Sequence, residues 1–311
     1  MSTESGERQL VQWLSRMPAT RDPRVRLGIG DDMAVLDSGG RCVLMSSDML
    51  LDGVHFDRTM QTLDAIGYKA IGCCLSDCAA MAVRPIGVTV SLGLPGDWTL
   101  EDSKSLYGGM GRACDGHGCT IVGGDTTAWD GRLAIDVAMV AECFPGVAPV
   151  RRSGGRVGDR LVVTGRLGGS ILGRHMTFPP RVAEARRIVE VLGERVHAMM
   201  DISDGLALDL HRLCGASGVG ARVSESQLTQ VVHDDARELA RMDGMPALDH
   251  ALTDGEDFEL LIAIQYDGDV ATAVPGVPLW AIGEMVETGL TMVHVDGHEA
   301  PLGRRGFEHL R

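Results

Sequence analysis

The chain has 311 residues, of which 44% are hydrophobic and 23% charged, and its formal net charge is −14 at pH 7. This composition is typical of a folded protein large enough for two domains and excludes extended disorder. The acidic balance, without a run of Lys or Arg, argues against nucleic-acid binding and indicates that an anionic substrate would need cations as intermediaries. The charged N-terminal MSTESGERQL and the absence of a membrane-length apolar run predict neither a signal peptide nor a membrane span, so we expect a cytoplasmic protein.

Hydrophobic periodicity predicts helices and strands that alternate along the chain. Helices are expected over 7–16, 62–81, 101–115, 181–197 and 205–218. Strands are expected over 42–50, 84–95, 119–127, 132–143, 160–165, 257–264 and 279–286. We expect Thr62 to cap the second helix and glycines to end the strand at 119–127 in a turn.

The segment FPGVAPVRRSGGRVGD, over 144–159, is rich in Pro and Gly and has little periodicity. It predicts a domain boundary, with one domain over 1–148 and a second over 149–311. Both halves mix strands and helices, and the predicted fold class is α+β. The eight cysteines form no C-x-x-C pair, which favours reduced, mostly buried thiols over a disulfide framework or a zinc site.

Several common catalytic motifs are missing from the sequence. No Gly-Lys pair occurs, which excludes the P-loop, and no complete G-x-G-x-x-G or H-E-x-x-H is present. The DISDG segment is not a nucleophile elbow, because Asp201 stands where that turn requires glycine. The usual hydrolase and dinucleotide-binding interpretations are therefore excluded.

Aspartates recur at the ends of apolar runs or inside them, beside Gly, Ser or Thr. They are Asp31, Asp32, Asp48, Asp77, Asp125, Asp201 and Asp204. Any one of them could cap a helix or close a turn. Asp77 does not fit that role, because it lies within the predicted helix at 62–81 among Cys73, Cys74 and Met81. An unpaired carboxylate there would cost several kcal/mol, so the set favours a hard divalent cation, most simply Mg²⁺.

Seven segments occur in an order and spacing that resemble one enzyme family. They are GIGDDMAVL, SSDMLLDGVHF, GYKAIGCCLSDCAAM, GGDTT, RRSG…GD, DISDGL and DGEDFELL. Each is short, but together they resemble the thiamine-monophosphate kinases, which belong to the ATP-binding superfamily of aminoimidazole ribonucleotide synthetase and selenophosphate synthetase. The resemblance implies an N-terminal α/β domain that forms a homodimer through a shared barrel, followed by a C-terminal α+β domain.

The resemblance also implies roles for particular residues. The Mg²⁺ ligands would be Asp32, Ser46, Ser47, Asp48, Asp77, Asp125, Asp201 and Asp204. Contacts to ATP would come from Tyr107, Gly124, Asp125, Arg152 and Ser203. The thiamine phosphate site would be lined by His55, Glu256 and Phe307. The catalytic set would be Asp32, Asp48, Asp77, Asp125 and Asp201.

The implied reaction moves the γ-phosphoryl group of ATP onto the phosphate of thiamine monophosphate. A phosphate monoester has a second pKa near ~6, so the acceptor is largely a dianion at neutral pH and needs no general base. The obstacle is repulsion, about 4 kcal/mol for two unit charges ~4 Å apart at an effective dielectric constant of ~20. Metal ions held by the aspartates would screen that charge and align the two substrates.

Some of these residues also have an ordinary alternative. Phe307, His55 and Tyr107 could pack in the core, and Arg152 could be a surface residue of a linker. The sequence departs from the family pattern at residues outside the aspartate set, which leaves the shape of the acceptor pocket open. These departures are Cys74, Ala82, Ala128, Trp129, Asp254 and Leu310.

Two other functions compete with this interpretation. Another ATP-dependent enzyme of the superfamily would act on a different small substrate, but residues 1–26 hold no cysteine and the chain ends in GFEHLR, which disfavours members with a reactive cysteine at either end. A non-catalytic nucleotide-binding regulator is expected to lose one or more of the metal aspartates, and none is lost. Turnover with ATP would separate an enzyme from such a regulator.

Overall fold

The computed structural model describes residues 6–16 and 22–308. In these residues two β-sheets are each packed with helices, which confirms the mixed α+β class. The α-helices are α1 (Gly6–Arg16), α2 (Leu63–Ala80), α3 (Leu100–His117), α4 (Val182–Leu192), α5 (Leu206–Ser217), α6 (Glu225–Leu228), α7 (Asp234–Asp243) and α8 (Ala247–Thr253). No helix of the described segments is long and apolar enough to cross a membrane.

The first sheet has six strands in the order β1-β2-β3-β6-β4-β5. They are β1 (Val25–Leu27), β2 (Ala34–Ser38), β3 (Arg41–Leu51), β4 (Val83–Pro95), β5 (Thr120–Trp129) and β6 (Ala134–Cys143). All pairings are antiparallel except the one between β4 and β5. Successive side chains along a strand point to opposite faces, so the register decides which residues face the helices.

Helices α2 and α3 pack against each other at very short range. A Cβ atom on Gly67 would lie 2.0 Å from the backbone oxygen of Leu106, and one on Gly109 would lie 1.7 Å from that of Asp64. Glycine at both positions therefore allows the two helices to touch through their backbones. Thr62 accepts a hydrogen bond from the Ala65 N–H, which confirms the predicted cap of α2.

The second sheet has seven strands in the order β13-β12-β9-β11-β7-β10-β8, and β12 pairs with β9 in parallel. They are β7 (Arg160–Val163), β8 (Val196–Asp201), β9 (Gly220–Ser224), β10 (Leu260–Ile264), β11 (Trp280–Val286), β12 (Leu290–Val293) and β13 (Glu299–Pro301). One buried hydrophobic cluster contains residues of α2, α4, β8 and β10, so the two sheets share a core through the helices between them.

The structure corrects three predicted boundaries. The glycines expected to end a strand in a turn, Gly123 and Gly124, lie inside β5. The helix expected over 181–197 ends at Leu192, because Gly193 follows and β8 begins at Val196. The strand expected from 257 begins only at Leu260.

Candidate active site

An acidic cleft lies between the two halves of the chain and encloses about 630 Å³. Its lining includes residues from β3, α2, the end of β8 and the second half of α5. Nine of the sequence-predicted residues are among them: Asp32, Ser46, Ser47, Asp48, Asp77, Arg152, Asp201, Ser203 and Asp204. The structure thus brings together most of the residues to which the sequence assigned metal and nucleotide binding.

Three carboxylates from distant segments converge in this cleft. Asp32 precedes β2, Asp77 lies in the last turn of α2, and Asp201 ends β8. One oxygen of each lies within 4.8 Å of the others. Such a group of hard oxygen ligands matches the coordination preferences of Mg²⁺.

Burial disfavours the ionised form of these carboxylates when no cation is bound. Burial, with the charges of Asp48, Asp201 and Asp32, raises the pKa of Asp77 well above its usual value. Burial and the Asp32 charge raise the pKa of Asp201 to about 8. Burial also raises the pKa of Asp48 and, with the Asp32 charge, that of Asp31 to about 6. A bound cation would reverse these shifts, because it favours the charged form.

Two buried oxygens beside the cluster lack a partner in the protein. Across residues 6–16 and 22–308, no group with good geometry forms a hydrogen bond to Ser46 Oγ or Asp48 Oδ2. Buried polar atoms are nearly always satisfied, so two orphans at one place call for a missing ligand. The donor set and the two orphaned atoms both fit a divalent cation.

Arg152 supplies the positive charge expected of it, and it does so through a pairing with Asp32 that was not expected. Its Nε donates to Asp32 Oδ2 over 3.0 Å, and its second guanidinium nitrogen donates to Asp32 Oδ1 over 2.8 Å. The pair is bidentate, and the Asp32 side chain is fully buried. The surface-linker alternative for Arg152 is therefore wrong.

The DISDG loop is held by a buried carboxylate that the sequence analysis missed. Asp209, on α5, accepts hydrogen bonds from the backbone N–H groups of Ser203 and Asp204, each over 3.1 Å. Arg212 joins the two acids, with 2.8 Å to Asp209 Oδ1 and an ion pair to Asp204. Burial raises the pKa of Asp209 to about 7.

A second group of predicted residues lies around a buried lysine. His55 Nδ1 accepts a hydrogen bond from the Leu51 N–H over 3.0 Å, which places the proton of the neutral ring on Nε2. Lys69 Nζ donates to the His55 carbonyl and to Glu256 Oε1. His55 and Glu256 were expected to share one site, and Lys69 joins them in the structure.

Asp125 does not lie in the cleft. The strand register places Asp48, Val137, Val90 and Gly124 in one row of the first sheet. Asp125 belongs to the next row, whose side chains point to the opposite face. Within this chain, Asp125 and the Asp32, Asp77 and Asp201 cluster are therefore on different sides of the sheet. Position 124 requires glycine for packing, because a Cβ atom there would lie 1.8 Å from the Val90 oxygen.

Tyr107 and Phe307 are not among the residues that line the cleft. Tyr107 is half-buried on α3 and packs against the core, and burial raises its pKa. Phe307 is 46% exposed, and its N–H donates to the Asp204 oxygen over 2.9 Å. This exposure excludes the core alternative for Phe307.

Two departures from the family pattern now have a structural setting. Cys74 is fully buried beside Asp48, and its thiol donates to the Val137 oxygen. Ala82 has a φ of 51°, in the left-handed region that favours glycine, which explains the usual glycine of the family at that position.

The family models match both halves of this arrangement. Residues 30–143 match the AIR synthase related protein, N-terminal domain, and residues 163–296 match the AIR synthase related protein, C-terminal domain. The two matches define the class: an AIR synthase related protein with both parts present.

Comparison with individual proteins identifies the family within this class. The thiamine-monophosphate kinase of Rhodopirellula baltica is 38% identical over 86% of this chain and 86% of its own. That of Escherichia coli is 32% identical over 92% of each chain. The chain therefore belongs to the thiamine-monophosphate kinase family.

Solved structures agree with this assignment. The structure described as AaThiL complexed with AMPPCP and TMP superposes with a TM-score of 0.80 at 27% identity, over 98% of this chain and 97% of that chain. The thiamine monophosphate kinase of Aquifex aeolicus gives 0.73 at 26% identity, over 94% and 97%. Hydrogenase maturation protein HypE of Escherichia coli gives 0.71 at 23% identity, over 97% and 98%, which shows the shared fold alone.

Proposed function

We propose that this protein transfers the γ-phosphoryl group of ATP to thiamine monophosphate and forms thiamine diphosphate. The convergence of Asp32, Asp77 and Asp201 within 4.8 Å in a cleft between the two halves carries the proposal. The family membership and the structure of AaThiL complexed with AMPPCP and TMP support it, since AMPPCP is an analogue of ATP. The acceptor phosphate attacks directly, because its dianion is already a nucleophile.

Mg²⁺ is the cofactor proposed for the cleft. Asp32, Asp48, Asp77 and Asp201 would hold it, with Ser46 Oγ as a neutral ligand. When bound, the ion neutralises phosphate charge and polarises the transferred group. Arg152 contributes a fixed positive charge beside the same acids, and the Ser203–Asp204 backbone is oriented by Asp209.

Glu256, His55 and Phe307 are proposed to bind the acceptor. A carboxylate and an exposed aromatic ring suit a thiazolium cation, and the Nε2–H of His55 suits a phosphate oxygen. His55 and Glu256 share Lys69 as a partner, which supports their assignment to one subsite.

The proposed biological unit is a homodimer whose first sheets face each other and close a barrel. The face of that sheet opposite α2 carries exposed apolar side chains, among them Met45, Met49, Val122 and Trp129. Several exposed apolar side chains on one face of a sheet are typical of an interface. Asp125 lies on the same face, so we propose that Asp125 of the partner subunit completes the nucleotide site, together with Gly124 and Tyr107 of one protomer or the other.

The domain boundary remains part of the proposal. The first sheet ends at Cys143 and the second begins at Arg160, which supports domains over 1–148 and 149–311. The shared core between α2 and α4 implies that the two domains pack tightly, and the cleft lies where they meet.

Incubation of the purified protein with ATP, Mg²⁺ and a panel of phosphorylated acceptors tests the function. We expect thiamine diphosphate and ADP in equal amounts from thiamine monophosphate, identified by mass spectrometry. Transfer to a different acceptor alone would support another enzyme of the superfamily. Binding of ATP without any product would support a regulator instead.

A further inference from the structure

A fully buried ammonium group connects the two halves of the chain beside the proposed acceptor subsite. Lys69 lies on α2 and its side chain is 0% exposed. Its Nζ donates to the His55 carbonyl oxygen over 2.5 Å and to Glu256 Oε1 over 2.6 Å. His55 follows β3 in the first half, and Glu256 precedes β10 in the second half. One side chain therefore ties together the backbone and carboxylate of two proposed acceptor residues.

Glu256 lies in a loop with an uncommon backbone conformation. Both Glu256 and Phe258 have a φ of 51°, in the left-handed region that is strained for residues other than glycine. Surrounding contacts maintain it: the N–H of Glu256 donates to the Ser203 oxygen over 2.7 Å, and the Phe258 ring stacks on Phe178 at 4.0 Å. The loop is thus fixed on its backbone and ring sides, and Lys69 fixes the carboxylate.

The two members of the ion pair differ in their exposure. Lys69 is enclosed completely, whereas the Glu256 side chain is 27% exposed. A buried ammonium must be neutralised, and Glu256 is the carboxylate that does so. If Glu256 served only to neutralise Lys69, its side chain could be as buried as that of Lys69. Its exposure is instead what a ligand-binding carboxylate requires.

On the basis of the proposed function, we propose that Lys69 is a positioning residue for the acceptor. It holds one oxygen of Glu256, so that the carboxylate has a single orientation toward thiamine monophosphate, and it holds the segment of His55 in place. Its hydrogen bonds go to these two residues and not to the Asp32, Asp77 and Asp201 cluster, so we expect a smaller effect on ATP than on the acceptor.

Steady-state kinetics of Lys69→Met, Glu256→Gln and the double variant test this role. We expect Lys69→Met to raise KM for thiamine monophosphate at least tenfold while KM for ATP changes less than about twofold. The double variant should be no worse than the more severe single variant, because both act through one carboxylate. Lys69→Arg should restore part of the loss. Lys104→Met, on the exposed face of α3, is the matched control and should leave both KM values unchanged.

Equal rises in the two KM values, or additive effects in the double variant, would overturn the proposal and leave Lys69 with a packing role. If Lys69→Met does not fold, the KM ratio of Lys69→Arg decides: a selective rise for the acceptor supports the proposal, and an unchanged ratio overturns it. A wild-type protein that does not phosphorylate thiamine monophosphate would instead reject the proposed function, which is a separate result.

Discussion

The Ser76 hydroxyl donates a 2.6 Å hydrogen bond to Asp201 Oδ2, in a fully buried position between α2 and β8. Ser76 precedes Asp77, so adjacent residues of one helix serve the same cleft in two ways. Ser76 orients a carboxylate of the second half, and Asp77 adds a carboxylate of the first. The acidic cluster is therefore assembled from residues of both halves of the chain. A substitution in either half should affect the same proposed metal site.

Asp77→Asn should abolish most of the transfer without unfolding the protein. Asparagine keeps the size of the side chain but removes a charge on which the proposed cation depends, so we expect kcat to fall by orders of magnitude. Mg²⁺ at 100 times its Kd stabilises a protein by about 2.7 kcal/mol, and this increment should shrink in the variant. Thermal unfolding with and without Mg²⁺ measures it.

Asp115→Asn, on the exposed side of α3, is the control for this experiment and should behave like the wild type. An unchanged kcat in Asp77→Asn would remove Asp77 from the mechanism. An unchanged Mg²⁺ response would remove it from the metal site.

Arg152→Met should weaken ATP binding, and Arg152→Lys should restore it only in part. The guanidinium forms two hydrogen bonds to Asp32, at 3.0 and 2.8 Å, and a lysine ammonium cannot reproduce this planar fork. We expect KM for ATP to rise about tenfold in the methionine variant, equivalent to about 1.4 kcal/mol. Full recovery by lysine would mean that only the charge matters.

Phe307→Ala should raise KM for thiamine monophosphate more than KM for ATP. Phe307 is half-exposed, and an aromatic face over a cation contributes about 0.5–2 kcal/mol. The expected increase is therefore from about twofold to about thirtyfold. Val295→Ala, another exposed apolar position of the second half, is the control. An equal effect of Phe307→Ala on both substrates would indicate a role in packing.

Asp257→Asn should flatten the dependence of stability on pH. Burial raises the pKa of Asp257 to about 7, although Arg174 lies 3.1 Å away and opposes the shift. A raised pKa means that the folded state holds the proton more tightly than the unfolded state, where the pKa is about 3.9. The protonated Asp257 therefore stabilises the folded state. This stabilisation is complete below about pH 3.9 and is lost as the pH rises through 7.

The difference between wild type and Asp257→Asn in the free energy of unfolding should therefore change by about 4 kcal/mol at most between those limits. Chemical denaturation at several pH values measures it, with Asp267→Asn at an exposed position as the control. Parallel curves for wild type and Asp257→Asn would contradict the raised pKa.

The sequence predicted best what depends on local spacing. Thr62 caps α2 as expected, and Lys69, Cys73 and Asp77 recur every four residues on that helix. That spacing could have linked Lys69 to the site, since residues four apart share one face. The Lys69 and Glu256 contact itself joins residues 187 positions apart, and no local pattern encodes it.

The parts of the site that depend on strand pairing could not be predicted from the sequence. Asp48 and Asp125 have similar sequence contexts, and both were expected to bind the metal. Their side chains point to opposite faces, because the sheet aligns Asp48 with the row of Gly124. A shift of one residue in register would reverse this, and only the assembled sheet determines it. The pairing of Asp32 with Arg152, 120 positions apart, was hidden for the same reason.

The cluster is divided between Asp77 on α2 and Asp201 on β8, two elements whose residues belong to one buried core. The hydrogen bond from Ser76 to Asp201 joins the same two elements, so packing sets the spacing of the carboxylate oxygens before any ion binds. Calcium binds oxygen at 2.3–2.6 Å and magnesium at 2.0–2.1 Å. We therefore expect this spacing to distinguish the two ions by radius, because the carboxylates cannot move apart without disrupting the core between α2 and β8.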